Sequence, residues 1–150
     1  MPVKEIMSVE PVCATPDTPL GTIATMMVEH HCSAIPIVSD GRIAGIVTDR
    51  DISCRTLPRD INPLTSTANN VMTRRVTTIS EDERVETAAR VMEHAHVRRL
   101  PVVSSDDRIV GIVSATDLAM NAYDTAAGSL YPNVAHHVPT KTSPRLVDWM

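Results

Sequence analysis

The chain contains the same stretch of sequence twice, and this duplication constrains its fold more than any other feature. Pro36 in "AIPIVS" corresponds to Pro101 in "RLPVVS", 65 residues later. Gly45 in "RIAGIVTDRD" corresponds to Gly111 in "RIVGIVSATD", 66 residues later. Two similar units that each leave an apolar face uncovered pack most simply against each other. The duplication therefore predicts a pseudo-two-fold pair with two related clefts.

Each copy is predicted to fold as a β-α-β-β-α unit. A short strand is expected first, around 12–14 and 76–79, and a helix with an apolar stripe follows it. Two strands rich in Val and Ile come next, and the Asp40-Gly41 pair suits a tight hairpin turn between them in copy one. This order predicts an α/β (α+β) protein whose two copies pack sheet to sheet with pseudo-two-fold symmetry.

Capping residues predict where the helices begin. Thr18 is the expected N-cap of the first helix in copy one. In copy two, Ser80 followed by Glu83 forms a predicted capping box. The second helix of each copy is expected to begin at Thr48 or at Ser114.

The duplication and the turn-forming residues predict four parts of the chain. Copy one covers 1–55, and a linker rich in Pro, Ser and Thr covers 56–67. Copy two covers 68–121. A C-terminal extension, 122–150, has no clear periodicity and is expected to be extended or partly disordered.

Composition argues against several functional classes. Only 2% of residues are aromatic, whereas single-stranded nucleic-acid binders use aromatic rings for stacking. The net charge is -4 and no basic run stands out, so no nucleic-acid partner is expected. The apolar runs are shorter than the ~18 residues that suggest a membrane span, and the start lacks a secretory signal. Three cysteines without a CxxC motif are typical of free thiols, which predicts a cytoplasmic protein.

A hydroxyl and a carboxylate return at the same spacing in both copies, in Thr48-x-x-Asp51 and Ser114-x-x-Asp117. This pattern is a recognised helix start, which needs no ligand. The same geometry also suits ligand binding, because a helix N-terminus favours phosphate and a carboxylate accepts hydrogen bonds from a ribose diol. The two interpretations are compatible, since the carboxylate is free to leave the cap when a ligand arrives.

The duplicated motifs resemble those of cystathionine-β-synthase (CBS) domains, and the chain resembles a tandem pair of them. The matching stretches are "IMS" and "VMT", "AIPIV" and "RRLPVV", and "GIVTDRDI" and "GIVSATDL". The resemblance implies β-α-β-β-α units paired through their sheets, and two such pairs commonly join as a disc-shaped homodimer. It also implies regulatory ligands that contain adenosine, namely AMP, ADP, ATP or S-adenosylmethionine, bound in the clefts between the copies.

The resemblance implies which residues hold such a ligand. The ribose and phosphate contacts would be Thr48 and Asp51 in one cleft and Ser114 and Asp117 in the other. The basic pair before "LP", Arg98 and Arg99, would contact phosphate; Ser33 and Ala34 replace it in copy one, where Arg50 would compensate. The implied adenine contacts are Cys13, Ala14, Ile35 and Pro36 in copy one, and Thr78, Ile79, Leu100 and Pro101 in copy two.

The histidines suggest a second kind of site. His31 and His96 hold equivalent positions at the ends of the first helices, where the helix dipole favours a cationic ring. A zinc site that combines His30 or His31 with His94 or His96 is the alternative. Cys32, beside His31, would be redox-active only if its thiolate were favoured; otherwise it is a small buried apolar residue.

These patterns predict a regulatory module that senses an adenosine-containing ligand and carries out no reaction. No nucleophile elbow, Walker A loop or HExxH motif is present, so an enzyme is the least favoured class. The alternative is a stress-response or interaction protein that binds no nucleotide and is held together by zinc or subunit contacts. No cofactor is required, and the expected partners are the small ligand, a second copy of the chain and an unidentified protein target.

Overall fold

The computed structural model describes residues 1–124, which form two β-sheets and five α-helices. The strands are β1 Ser8–Val9, β2 Ala34–Ser39, β3 Arg42–Thr48, β4 Ile79–Ser80, β5 Arg99–Val103 and β6 Ile109–Ser114. The helices are α1 Leu20–Glu29, α2 Asp49–Thr56, α3 Ala68–Val71, α4 Val85–Ala95 and α5 Ala115–Asp124. The predicted α+β class is confirmed. The predicted C-terminal extension falls almost entirely outside the described residues.

The paired strands of each copy form as the sequence predicts. Strands β2 and β3 are antiparallel with Pro36 opposite Ile46, and β5 and β6 are antiparallel with Pro101 opposite Ile112. Val and Ile dominate these strands because β-branched side chains pack well on a pleated surface. The hairpin of copy one turns at Asp40-Gly41, which has φ angles of 53° and 78°. Positive φ at both positions defines the type I′ turn, which matches the twist of the strands.

The short outer strands differ from the prediction. Where a strand was expected around 12–14, only Ala14 pairs, through its N–H to the Pro36 oxygen at 3.0 Å and its oxygen to the Val38 N–H at 2.8 Å. The expected strand around 76–79 is limited to β4, which lies parallel to β5. Strand β1 was not predicted, and it pairs with β6 of copy two. Periodicity cannot identify strands of two residues, because such strands contain no repeat to measure.

The predicted caps of the first helices are wrong. Helix α1 begins at Leu20, and the Thr18 hydroxyl instead accepts a hydrogen bond from the Thr15 N–H at 2.9 Å. Helix α4 begins at Val85, beyond the proposed Ser80 capping box. In both helices a backbone carbonyl replaces the side-chain cap. Leu20 donates to the Ser66 oxygen at 3.0 Å, and Val85 donates to the Met1 oxygen at 3.1 Å.

Each of those carbonyls lies in the segment that precedes the other copy. This segment is here called the leading segment: residues 1–9 for copy one, and residues 66–74, which join the linker to copy two, for copy two. Val71 and Met72 lie in the hydrophobic core of copy one, with the first of them 1% exposed. Val3 is fully buried in the core of copy two, and Met7 packs against it. Each copy therefore completes its core with the leading segment of the other.

The two copies also meet at their hairpins. Arg42 and Arg108 form an antiparallel bridge, and Ile109 donates its N–H to the Gly41 oxygen at 3.2 Å. This contact and the two leading segments hold the copies together, and the surface between them provides the cleft described below.

Candidate functional site

Both hydroxyl–carboxylate motifs cap helices, as one of their two interpretations predicts. At α2, the Asp51 N–H donates to Thr48 Oγ1 at 3.1 Å, and the Thr48 N–H donates to Asp51 Oδ2 at 2.9 Å. At α5, the Asp117 N–H donates to Ser114 Oγ at 3.2 Å. Asp117 Oδ2 accepts from both the N–H and the hydroxyl of Ser114, at 2.7 and 2.6 Å. Each carboxylate is thereby fixed at a helix N-terminus.

The copy-two motif opens into a cleft between the copies, here called the Asp117 cleft, with a volume of about 640 Å³. One wall comes from copy two and includes Ser114 and Asp117. The opposite wall comes from copy one, at 8–12, 30–32 and Ala34. A cavity of this volume lies within the range of small-molecule sites.

Arg98 and Arg99 line the Asp117 cleft, which settles the side of the molecule that this basic pair faces. The sheet places them there: Arg99 lies opposite Ser114 in the β5–β6 register, and the Arg98 oxygen accepts from the Ala115 N–H at 2.9 Å. Strand pairing therefore brings both arginines to the cleft that Asp117 lines.

The copy-one wall adds His30, His31 and Cys32 to the cleft. His31 follows α1 with φ 51°, and His96 ends α4 with φ 54°, so the two equivalent histidines end their helices in the left-handed conformation. Burial raises the pKa of the Cys32 thiol, although Arg99 nearby partly opposes this shift. The raised pKa does not favour a thiolate, so Cys32 is better described as a packing residue than as a redox centre.

The copy-one motif has different surroundings, because Arg55 is bound to it. Arg55 Nε lies 3.3 Å from Asp51 Oδ1 in an ion pair. The same guanidinium donates to the Val71 oxygen at 2.9 Å and to Thr73 Oγ1 at 3.0 Å. Thr48, Arg50 and Asp51 do not line the Asp117 cleft, so their role as ligand contacts stays a prediction.

The residues predicted to surround adenine lie mainly in the two cores, outside the lining of the Asp117 cleft. Four of them are the strand residues Ile35, Pro36, Leu100 and Pro101, whose side chains are buried. Ala14 and Ile79 are buried as well, whereas Cys13 and Thr78 are half-buried. The Cys13 thiol donates to the Pro11 oxygen at 3.2 Å, and burial raises its pKa. Any ligand contact at the fully buried positions would come from the backbone.

Sequence reasoning missed the residues of copy one that form the opposite wall. They are Ser8, Val9, Glu10 and Pro11, together with Ile112 and Thr116 of copy two, whereas His30, His31 and Cys32 were singled out for zinc or redox chemistry and not for this cleft. The sequence did contain a signal for the segment around Ser8, because "IMS" in copy one matches "VMT" in copy two. The match did not reveal that this segment packs against the other copy.

Neither a metal cluster nor a membrane span is present within residues 1–124. No three His, Cys, Asp or Glu residues of this part lie together in a way that could hold a metal ion. His94 and His96 lie beside Arg90 and Glu93, whereas His30 and His31 line the Asp117 cleft. The helices of this part are too short or too polar to cross a membrane.

Comparisons with known proteins agree on one family. The sequence profile of the CBS domain matches residues 3–54 and 68–123. The CBS domain-containing protein YhcV of Bacillus subtilis (strain 168) is 33% identical over 135 residues, covering 89% of this chain and 95% of the relative.

The fold and a detectable part of the sequence are shared with solved structures, among them the following two. The CBS domain pair of protein MJ0100, in complex with 5′-methylthioadenosine and S-adenosyl-L-methionine, has a TM-score of 0.74 and 31% identity, covering 83% of this chain and 97% of that one. Hypoxic Response Protein I, with two coordinated zinc ions, has a TM-score of 0.72 and 33% identity, covering 81% and 98%. Because the profile matches both copies and the relatives align over most of their length, the chain belongs to the CBS domain family and carries a pair of CBS domains.

Proposed function

We propose that this CBS pair is a regulatory module that binds a phosphorylated adenosine, namely AMP, ADP or ATP, in the Asp117 cleft. The observation that carries the proposal is that one cleft between the copies holds a carboxylate fixed at a helix N-terminus and two arginines. Ligand bound there contacts both copies, so it favours one arrangement of the copies over another. The module carries out no reaction of its own.

Asp117 would hold the ribose. Its hydrogen bonds at the start of α5 are made by Oδ2, which accepts both bonds from Ser114. A ribose diol offers two O–H donors to a carboxylate, which accepts hydrogen bonds only. Each hydrogen bond to a charged group contributes about 1.5–3 kcal/mol. The related MJ0100 pair, which binds two adenosyl compounds, supports a ligand of this class.

The two arginines of the cleft favour a phosphate over a sulfonium group. Arg98 and Arg99 present two permanent positive charges, and His30 and His31 line the same cleft. A guanidinium donates two parallel hydrogen bonds to phosphate, whereas it repels the positive sulfur of S-adenosylmethionine. Glu10 and Asp117 bring two carboxylates to the same cleft, so the preference for phosphate rests on the neighbouring positions of the two arginines and not on the net charge of the lining.

Asp117→Asn is expected to weaken ADP binding at least about tenfold, because the single oxygen of asparagine stays with the Ser114 N–H and its amide NH2 cannot accept a hydrogen bond from the ribose. Isothermal titration calorimetry of the full chain measures this change. Asp60→Asn is the matched control, because Asp60 is exposed in the linker and its φ of 53° suits asparagine. Equal affinity of Asp117→Asn and wild type, or no binding of AMP, ADP or ATP to wild type, would contradict the proposal.

Arg98→Gln and Arg99→Gln are each expected to weaken ADP about tenfold and to leave the affinity for adenosine within about threefold. The wild-type chain should prefer ADP to S-adenosylmethionine, and the preference should shrink at higher ionic strength because salt screens exposed charges. Arg90→Gln, on the exposed face of α4, is the control. Tighter binding of S-adenosylmethionine than of ADP by wild type would contradict the assignment of these two arginines to the phosphate of the ligand.

The homodimer and the cytoplasmic location stay predictions from the family resemblance and the composition. The zinc alternative also stays open to test, since the related Hypoxic Response Protein I coordinates two zinc ions. Elemental analysis of the purified chain decides it: zinc at one or more equivalents with no nucleotide binding would favour that alternative.

A further inference from the structure

The two hydroxyl–carboxylate motifs are equivalent in sequence but differ in what their carboxylates contact. Asp51 forms an ion pair with Arg55. Asp117, at the equivalent position, lines the Asp117 cleft. The residue of copy two that corresponds to Arg55 is Asn121, which carries no charge. One acidic side chain is thus neutralised within the protein, whereas the other faces the cleft between the copies.

Arg55 is held on three sides. Nε faces Asp51, Nη1 donates to the Val71 oxygen and Nη2 donates to Thr73 Oγ1. Val71 and Thr73 belong to the leading segment of copy two, which completes the core of copy one. Moving Arg55 would therefore break an ion pair and two hydrogen bonds to a segment that is itself fixed by packing.

The residue that Arg55 contacts corresponds to a wall residue of the Asp117 cleft under the repeat symmetry. Thr73 of copy two corresponds to Ser8 of copy one, and Ser8 lines the Asp117 cleft. Arg55 Nη2 thus contacts the residue that would line the corresponding cleft of copy one. Its guanidinium bonds both this residue and the Asp51 carboxylate, which is the counterpart of the group that the proposed function assigns to ribose.

We propose that Arg55 is an internal substitute for ligand in the copy-one cleft, so that each chain binds one phosphorylated adenosine, at Asp117 only. The proposal rests on the proposed function. It specifies that the copy-two motif binds the ligand and the copy-one motif does not. Asp51 then acts as a helix cap and as the partner of Arg55. The guanidinium stabilises the join between copy one and the leading segment of copy two.

Calorimetric titration of the full chain with ADP tests the proposal. Wild type should bind one ADP per chain. Asp51→Asn should keep that stoichiometry and an affinity within about threefold, because asparagine still accepts the Thr48 N–H at the start of α2 and the working site is elsewhere. The matched Asp117→Asn should lose affinity at least tenfold. Two ADP per wild-type chain, or a loss of affinity or stoichiometry in Asp51→Asn, would overturn the proposal.

Arg55→Asn, which places the copy-two residue in copy one, tests the cause. It should raise the stoichiometry from one to two ADP per chain, and the second site should be lost again in the double variant Arg55→Asn, Asp51→Asn. A folded Arg55→Asn chain that still binds one ADP would overturn the role of Arg55. If this variant does not fold, the wild-type stoichiometry and Asp51→Asn decide. Absence of any ADP binding to wild type would instead contradict the proposed function itself.

Discussion

Replacing Gly111 by valine is expected to lower the free energy of unfolding by about 3 kcal/mol. A Cβ atom at Gly111 would lie 2.5 Å from Met7 Sδ and 2.9 Å from the Ser8 oxygen. The methionine can move, but the Ser8 carbonyl belongs to β1, which is paired with β6 at this point. The added side chain therefore forces the leading segment of copy one away from the sheet of copy two.

Urea denaturation followed by circular dichroism measures the effect, and Gly21→Val is the matched control. A Cβ atom at Gly21 meets no atom within 4 Å, and the residue is exposed in α1. Valine there should change the free energy of unfolding by less than about 0.5 kcal/mol. The site has room for the side chain, and valine is only slightly better than glycine as a helix former. Gly45→Val should resemble Gly111→Val, since its Cβ would lie 2.7 Å from Met72 Sδ. Equal stability of Gly111→Val and Gly21→Val would contradict the contact between the leading segment and β6.

The two glycines show how far the sequence predicts the fold. The offset between Gly45 and Gly111 predicts that they are equivalent, and the structure confirms equivalent strands around them. The contacts are crossed, however: Met7 of copy one lies on Gly111, and Met72 of copy two lies on Gly45. A sequence repeat identifies equivalent residues. The repeat is the same, however, whether a segment packs on its own copy or on the other copy. Only the three-dimensional path of the chain distinguishes the two.

The candidate site was predictable to a similar extent. The capping geometry of Thr48 and Ser114 followed from residue type and spacing alone, because capping is a local interaction. The wall that Arg98 faces depended on which part of copy one packs against β5 and β6, which the sequence did not specify. The difference between Arg55 and Asn121 was visible in the duplicated sequence. Its meaning depends on the distance from Arg55 to Asp51, which is a property of the folded chain.

The crossed packing predicts that the folding unit of copy one is not the sequence repeat. A fragment of residues 11–75 is expected to fold, whereas a fragment of residues 1–65, of equal length, is expected to remain largely unfolded. All residues of the core of copy one lie between Ala14 and Met72. The fragment 1–65 contains the complete repeat but lacks the last part of that core, at Ala68, Val71 and Met72.

Hydrophobic burial gives the size of the expected difference. Val71 and Met72 are 1% and 6% exposed, and burying a side chain of this kind contributes about 1.5–3 kcal/mol. Their absence thus removes roughly 3–6 kcal/mol, and a domain of this size has only about 3–10 kcal/mol of stability in total. The fragment 1–65 also loses the backbone hydrogen bonds that Thr73 exchanges with Ile46, at 2.9 and 3.0 Å. It gains nothing in exchange, because Val3 and Met7 pack against copy two, which is absent.

Circular dichroism and urea titration of the two fragments measure the difference. The fragment 11–75 should show a cooperative transition, whereas 1–65 should show a gradual one, because its remaining apolar residues cannot exclude water from one side of the sheet. Val71→Asp in fragment 11–75 is the control that leaves the length unchanged, and it should abolish the transition, since a buried unpaired carboxylate is strongly unfavourable. A cooperative transition in 1–65 at equal or higher urea concentration would mean that copy one completes its core with its own leading segment. The crossed packing, and with it the position of Ser8 in the wall of the Asp117 cleft, would then be wrong.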